Sequence, residues 1–95
     1  MINLNAELFE ALVGKHLSAT RQAGSEIWLV DSVSRRKGHS ARADQPFDVY
    51  FSAPAGKAAL QGMVQATLPD GDAIEFFVVP VGATAEAVTY EAVFN

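Results

Sequence analysis

The chain has 95 residues, no cysteine and a net charge of −4, and 49% of its residues are apolar. That length holds one hydrophobic core, and the lack of cysteine excludes disulfides, thiolate metal sites and cysteine nucleophiles. The carboxylate excess opposes general binding to phosphate backbones, which relies on clustered Lys and Arg.

No stretch approaches the ~20 consecutive apolar residues of a membrane helix. The opening MINLNAELFEALVG carries acidic residues and no basic region ahead of an apolar run, so it does not read as a secretory signal. The expectation is a soluble single domain over residues 1–95, made in the cytoplasm, with its final compartment left open and with no membrane or nucleic-acid partner.

Asn5 is placed to cap a helix over 6–13, with Glu7 in its first turn and Gly14 ending it. Leu8, Phe9, Leu12 and Val13 form its apolar face. A helix of this length does not persist alone, so it must lie against something apolar.

After Gly14 the apolar period falls from 3.6 to about 2. Residues 15–22 alternate weakly, with Leu17 and Ala19 on one side, and Ala23-Gly24-Ser25 reads as a turn. Residues 26–34 form a stronger strand, in which Ile27, Leu29 and Val33 share one face and Trp28 and Val30 the other. The two strands are expected to pair as a hairpin.

Residues 35–45 hold no large apolar side chain and are expected to form an exposed, mobile loop. Four of the seven Lys and Arg fall there, at Arg35, Arg36, Lys37 and Arg42, with His39 between them. Solvation accounts for such a loop; a contact surface for an acidic partner is the sharper alternative.

Phe47, Val49 and Phe51 alternate with Asp48, Tyr50 and Ser52 as a half-buried strand, which Pro54 and Gly56 break. Residues 58–62 read as a loop or a single helical turn. Residues 63–68 and 73–81 then flank Pro69-Asp70-Gly71-Asp72, a strong hairpin signal.

The second arm of that hairpin is apolar on both sides: Ile74, Phe76 and Val78 face one way, Phe77, Val79 and Val81 the other. Such a strand is either covered twice or presents a face to a partner. Pro80 belongs near the strand end or at a bulge. Val88, Tyr90, Ala92 and Phe94 alternate along a last strand. Six strands joined mainly by short turns suggest a mainly β fold, a meander closed into a small antiparallel barrel or folded as a two-sheet sandwich. The helix is expected to plug one end with Phe9 and Leu12.

The residues that carry chemistry are sparse. His16 reads as a surface histidine and His39 as a loop residue. A Ser40, His39 and Asp44 triad lacks rigid support. No phosphate-cradling glycine pattern occurs. Asp31, Glu75 and Glu91 fall on strands, where such carboxylates could bind a cation or act as acid and base, though cross-strand ion pairs with Lys or Arg are the commoner role and the expectation here, and Asp70 and Asp72 serve the turn. No catalytic, metal or cofactor site emerges. Trp28, Tyr50, Phe77 and Tyr90 are the aromatic stock for a core, a groove or an interface.

Three segments together resemble a family of small uncharacterised bacterial proteins defined by a domain of unknown function. They are Leu12-Val13-Gly14-Lys15; the set Pro46-Phe47, Tyr50-Phe51, Leu60-Gln61-Gly62 and Phe76-Phe77-Val78-Val79-Pro80-Val81-Gly82; and the ending Tyr90-Glu91-Ala92-Val93-Phe94-Asn95. Met63-Val64 departs from the pattern, standing where a small residue and a tyrosine are expected. The resemblance carries no catalytic residue. It implies an accessory or structural part of a phage-tail-like fibre or particle, because such proteins are encoded near phage tail collar-like proteins.

Two functions follow as expectations. The first is a non-enzymatic interaction module that docks a protein partner, or a copy of itself, through the outer face of residues 74–81 or through the terminal strand. The second is a small-ligand-binding barrel or minor enzyme, with Trp28, Tyr50 and Glu91 around a pocket.

Overall fold

The computed structural model describes residues 3–22, 24–37, 45–56 and 59–95. One helix, α1 (Ala6–Glu10), precedes six strands: β1 (His16–Arg21), β2 (Gly24–Arg35), β3 (Phe47–Pro54), β4 (Gly62–Thr67), β5 (Ala73–Ala83) and β6 (Ala87–Phe94). The strands close into an antiparallel barrel in the order β1-β2-β3-β6-β5-β4, with β4 returning to β1.

The helix starts where its cap predicts. Asn5 is extended and its side-chain oxygen accepts from the Leu8 amide at 2.9 Å. It stops earlier than the apolar spacing predicts, because the chain tightens into i→i−3 bonds from Leu12 to Phe9 and from Val13 to Glu10. Gly14, at φ +84°, then turns so that its amide donates to the Val30 carbonyl. That bond commits residue 14 to the barrel and leaves Val13 exposed rather than on the buried face.

The expected hairpins form. β1 pairs β2 from His16↔Leu29 to Arg21↔Gly24, and β4 pairs β5 from Gly62↔Val78 to Thr67↔Ala73 around Gly71 at φ +95°. The simple meander does not. The last strand, β6, inserts between β3 and β5, pairing with β3 over eight positions from Phe47↔Phe94 to Pro54↔Ala87. The β4–β5 hairpin is thereby displaced from β3 and closes the barrel against β1. Among the described residues each strand thus has a neighbour on both sides, the closing β1–β4 contact running from Ser18↔Thr67 to Thr20↔Gln65.

Inward side chains fill the barrel. Trp28, Phe47, Val49, Phe51, Val64, Val78 and Ala92 are buried completely. Trp28 stacks on Tyr90 with centroids 4.7 Å apart, Phe51 on Phe76 at 5.1 Å and Phe47 on Phe94 at 4.6 Å. Phe9 descends from α1 into the end where Phe47, Phe51, Phe76 and Phe94 meet, with centroids 5.3–6.4 Å away. The helix is thus the plug expected of it, and its short length is offset by this burial.

β2 departs from strict alternation. A bulge at Asp31 shifts the β2–β3 register between Val30 and Ser32, so Val33 pairs with Val49 and packs against the core. Val33 therefore does not share the outward face of Ile27 and Leu29. The bulged Asp31 carboxylate accepts a hydrogen bond from the Ser52 hydroxyl on the neighbouring strand, a local partner that uniform alternation does not provide for.

Candidate functional site

Alternation on β5 sends Ile74, Phe76 and Val78 inward and Phe77 and Val79 outward. Pairing with β4 places Met63 directly across from Phe77 on the same outer surface. Pairing with β6 places Glu91 across from Val79, so Phe77 and Val93 hold the next outward positions on their strands. Val81, the extra residue of a second bulge between Pro80 and Gly82, is also turned out, and Pro80 stands at that bulge as expected.

Met63 is 55% exposed, Phe77 48% and Val93 48%. Three neighbouring strands thus carry an outward apolar patch of Met63, Phe77, Val79, Val81 and Val93. Among the described residues, the exposed large hydrophobic side chains that lie off this face are Val13, Ile27 and Leu60.

Polar side chains flank the patch. On one side Glu75 accepts from the Gln65 amide nitrogen at 2.9 Å; on the other Glu91 accepts from the Tyr50 hydroxyl at 2.7 Å. The expected Lys or Arg partners of Glu75 and Glu91 are replaced by these neutral donors, because the neighbouring outward positions hold Gln65 and Tyr50. Donation to Glu91 raises the Tyr50 pKa above its ordinary value. Asp48, buried beside this pair, has its carboxyl raised by desolvation against the opposing charge of Arg36. Arg36 Nε stands 3.2 Å from Asp48 Oδ2, within ion-pair distance but not aligned for a hydrogen bond.

At the barrel mouth remote from α1, a half-open cleft of about 650 Å³ is lined by Arg21, Glu26, Leu60, Met63, Val88 and Tyr90, among others. Its cation is already engaged. The Arg21 guanidinium lies 5.2 Å from the Tyr90 ring centroid and donates to the Leu60 carbonyl. Glu26 accepts from the Trp28 indole nitrogen at 2.9 Å.

The structure separates several residues that the sequence grouped. Trp28 and Tyr90 are stacked in the core, whereas Tyr50 points outward to Glu91, so Trp28, Tyr50 and Glu91 do not line one pocket. Alternation explains it: Tyr50 is out of phase with its inward neighbours Val49 and Phe51.

The basic segment is likewise not a continuous free surface. Arg35 ends β2 and reaches Glu10 at 2.7 Å and Glu7 at 3.1 Å on α1. Arg36 Nη2 donates to the Phe94 carbonyl and to Asn95 Oδ1. Lys37 is exposed; His39, Ser40, Arg42 and Asp44 lie outside the described residues. Met63 and Val93 were not singled out from the sequence. The 67↔73 register of the Asp-Gly hairpin implies that Met63 faces Phe77, so the first was legible; a meander also sets the last strand beside 73–81, but the register that brings Val93 near Phe77 includes the bulge between Pro80 and Gly82, which periodicity does not reveal.

A family model for a domain of unknown function, DUF6916, matches residues 4–94. The chain belongs to the DUF6916 family. The match runs from just before α1 to the last residue of β6, so the DUF6916 unit is the whole plugged barrel and not a part of it. No curated protein matches the chain. No solved structure matches it either.

Proposed function

We propose that this DUF6916 barrel is a non-enzymatic interaction module that docks a protein partner through the outer face of β4, β5 and β6. The observation that carries this reading is the patch of Met63, Phe77, Val79, Val81 and Val93 turned to solvent on three adjacent strands of a barrel whose own core is already filled. Solvent-exposed clusters of this kind mark interaction sites, and aromatic and methionine side chains are the types enriched in them. The barrel interior is occupied by stacked rings, and Arg21, the cation lining the mouth cleft among the described residues, is spent on internal partners, so neither offers as ready a surface. The family resemblance extends the proposal to an accessory piece of a phage-tail-like fibre or particle, and a closed barrel without strand edges is suited to sit in a larger assembly without polymerising by itself.

A photo-reactive phenylalanine analogue placed at Phe77, in the cell that naturally makes the protein, tests the face. A discrete covalent adduct is expected from position 77 and none from Ser18, an outward position on β1. No adduct from position 77, or the same products from both positions, overturns the proposal.

A further inference from the structure

The charge pattern around the patch narrows the partner. Residues 59–95 contain five carboxylates, Asp70, Asp72, Glu75, Glu86 and Glu91, and no Lys, Arg or His. β4, β5 and β6 lie wholly within this stretch, so the face they share has no cation of its own. Two of the carboxylates flank the apolar centre directly: Glu75 is two residues before Phe77 on β5, and Glu91 is the cross-strand partner of Val79. Each is held by a neutral donor, Gln65 and Tyr50 respectively. These bonds fix the direction of each carboxylate and leave its charge in place.

The treatment of carboxylates elsewhere is different. Glu7 and Glu10 are met by Arg35, and Asp48 by Arg36. Internal compensation is thus available in this fold and reaches the margin of the apolar face at Asp48, across from Val93, but Glu75 and Glu91 have neutral donors instead.

We infer that the surface takes a polypeptide segment whose apolar side chains are flanked by Lys or Arg, and not a second copy of this chain packed patch to patch. The inference rests on the docking reading and specifies its partner. Apolar contacts supply the buried area, while the flanking cations meet Glu75 and Glu91 and set orientation and approach rate. A two-fold contact between copies brings the same patch from both sides, which gathers Glu75 and Glu91 of both copies with no cation supplied by β4, β5 or β6. A head-to-tail contact would have to bring Lys15 or Lys37, which are exposed elsewhere on the surface, onto the patch, because Arg35, Arg36 and Arg21 are engaged within each molecule.

The test uses the ¹⁵N-labelled full chain and three synthetic strand-length peptides, alternating Leu with Lys, with Ser or with Glu. The Lys peptide is expected to shift the amide resonances of Met63, Phe77, Val79 and Val93, to bind about tenfold or more tightly than the Glu peptide at low salt, and to lose most of that margin in physiological salt. The Glu75→Gln/Glu91→Gln variant removes the preference for Lys, and Phe77→Ser removes binding of the Lys peptide at this face.

Equal shifts at this face from all three peptides overturn the charge inference and leave the docking reading standing. No shift there from any of the three overturns both. Lys-peptide binding that survives Phe77→Ser overturns the combined apolar and cationic recognition, since charge alone then suffices. Broadening of the same resonances as the protein alone is concentrated overturns the exclusion of a second copy.

Discussion

Phe76 and Phe77 are adjacent in sequence and identical in chemistry, yet the barrel assigns them opposite roles, which makes the pair a direct test of the face assignment. Phe76 is buried, stacked on Phe51 at 5.1 Å and set edge-on to Phe9 at 6.1 Å. Phe76→Ala removes a ring from a filled interior, and such truncations cost about 3–5 kcal/mol once the residual cavity is included. Phe77 keeps 48% of its surface in water. Full burial of such a side chain is worth roughly 1.5–3 kcal/mol, so Phe77→Ala, which forfeits about half of that and leaves no enclosed cavity, costs about 1 kcal/mol. The two variants thus differ by at least about 2 kcal/mol, a large fraction of the ~5–15 kcal/mol that stabilises a domain. Urea titration followed by far-ultraviolet circular dichroism reads both on one scale, with unchanged slopes confirming that only stability has moved. Equal losses, or a larger loss at Phe77, refute the inward and outward assignment of β5 and with it the docking surface.

The helical plug makes a second test: Phe9→Ala, in a residue with no exposed surface and four ring neighbours, should cost about 3–5 kcal/mol and selectively release the amides of α1 to hydrogen exchange; exchange rates unchanged in residues 6–10 refute the plug. The acid limb of stability makes a third. Glu7 is lowered from its usual 4.5 first by a backbone hydrogen bond and then by Arg35, and Glu10 is lowered first by Arg35. Folded values below the unfolded ones mean that this stabilisation is present above pH 4.5 and is lost as pH falls through the folded values. All three groups are exposed, so the effect is small and screened by salt. Asp48, raised by burial, works the other way and favours folding as it protonates. Arg35→Gln should therefore flatten the loss of stability below pH 4.5, measured by thermal melts at low ionic strength; an unchanged acid limb refutes the coupling.

Most of the fold was legible because its signals are local. Asn5 and Gly14 bracket the helix, Asp70-Gly71 fixes a hairpin, and two-residue periodicity identifies inward side chains on β1, β3, β4, β5 and β6. What failed depends on relations between distant segments. The pairing of β6 with β3 leaves no mark on the turn that joins β6 to β5, and a single extra residue at Asp31 reverses the phase of β2, so Val33 changes sides. The same limit applies to the site. The two-sided apolar character of residues 74–81 was visible, and it correctly gave Phe77 as outward, whereas the mutual placement of Trp28, Tyr50 and Glu91 required knowing which strands are neighbours. Arg35 and Arg36 looked like loop charges because their partners lie more than twenty residues before one and about sixty residues after the other.

The terminal hexapeptide links these levels. Tyr90 stacks on Trp28, Glu91 accepts from Tyr50, Ala92 is buried against Val49 across the strand pair, Phe94 stacks on Phe47, and Asn95 accepts from Arg36. Five of its six residues are thus explained by closing the barrel. Val93 is not: it alternates outward, remains 48% exposed, and is a β-branched apolar residue where a polar one would satisfy the fold equally well. Its position on β6 beside β5 extends the patch from Phe77 onto a third strand. The patch is drawn from three consecutive strands joined by two hairpins, and the buried rings of β5 and β6, Phe76 on Phe51 and Tyr90 on Trp28, tie those strands to β3 and β2, so a partner that reads the patch reads strands held in place by the core.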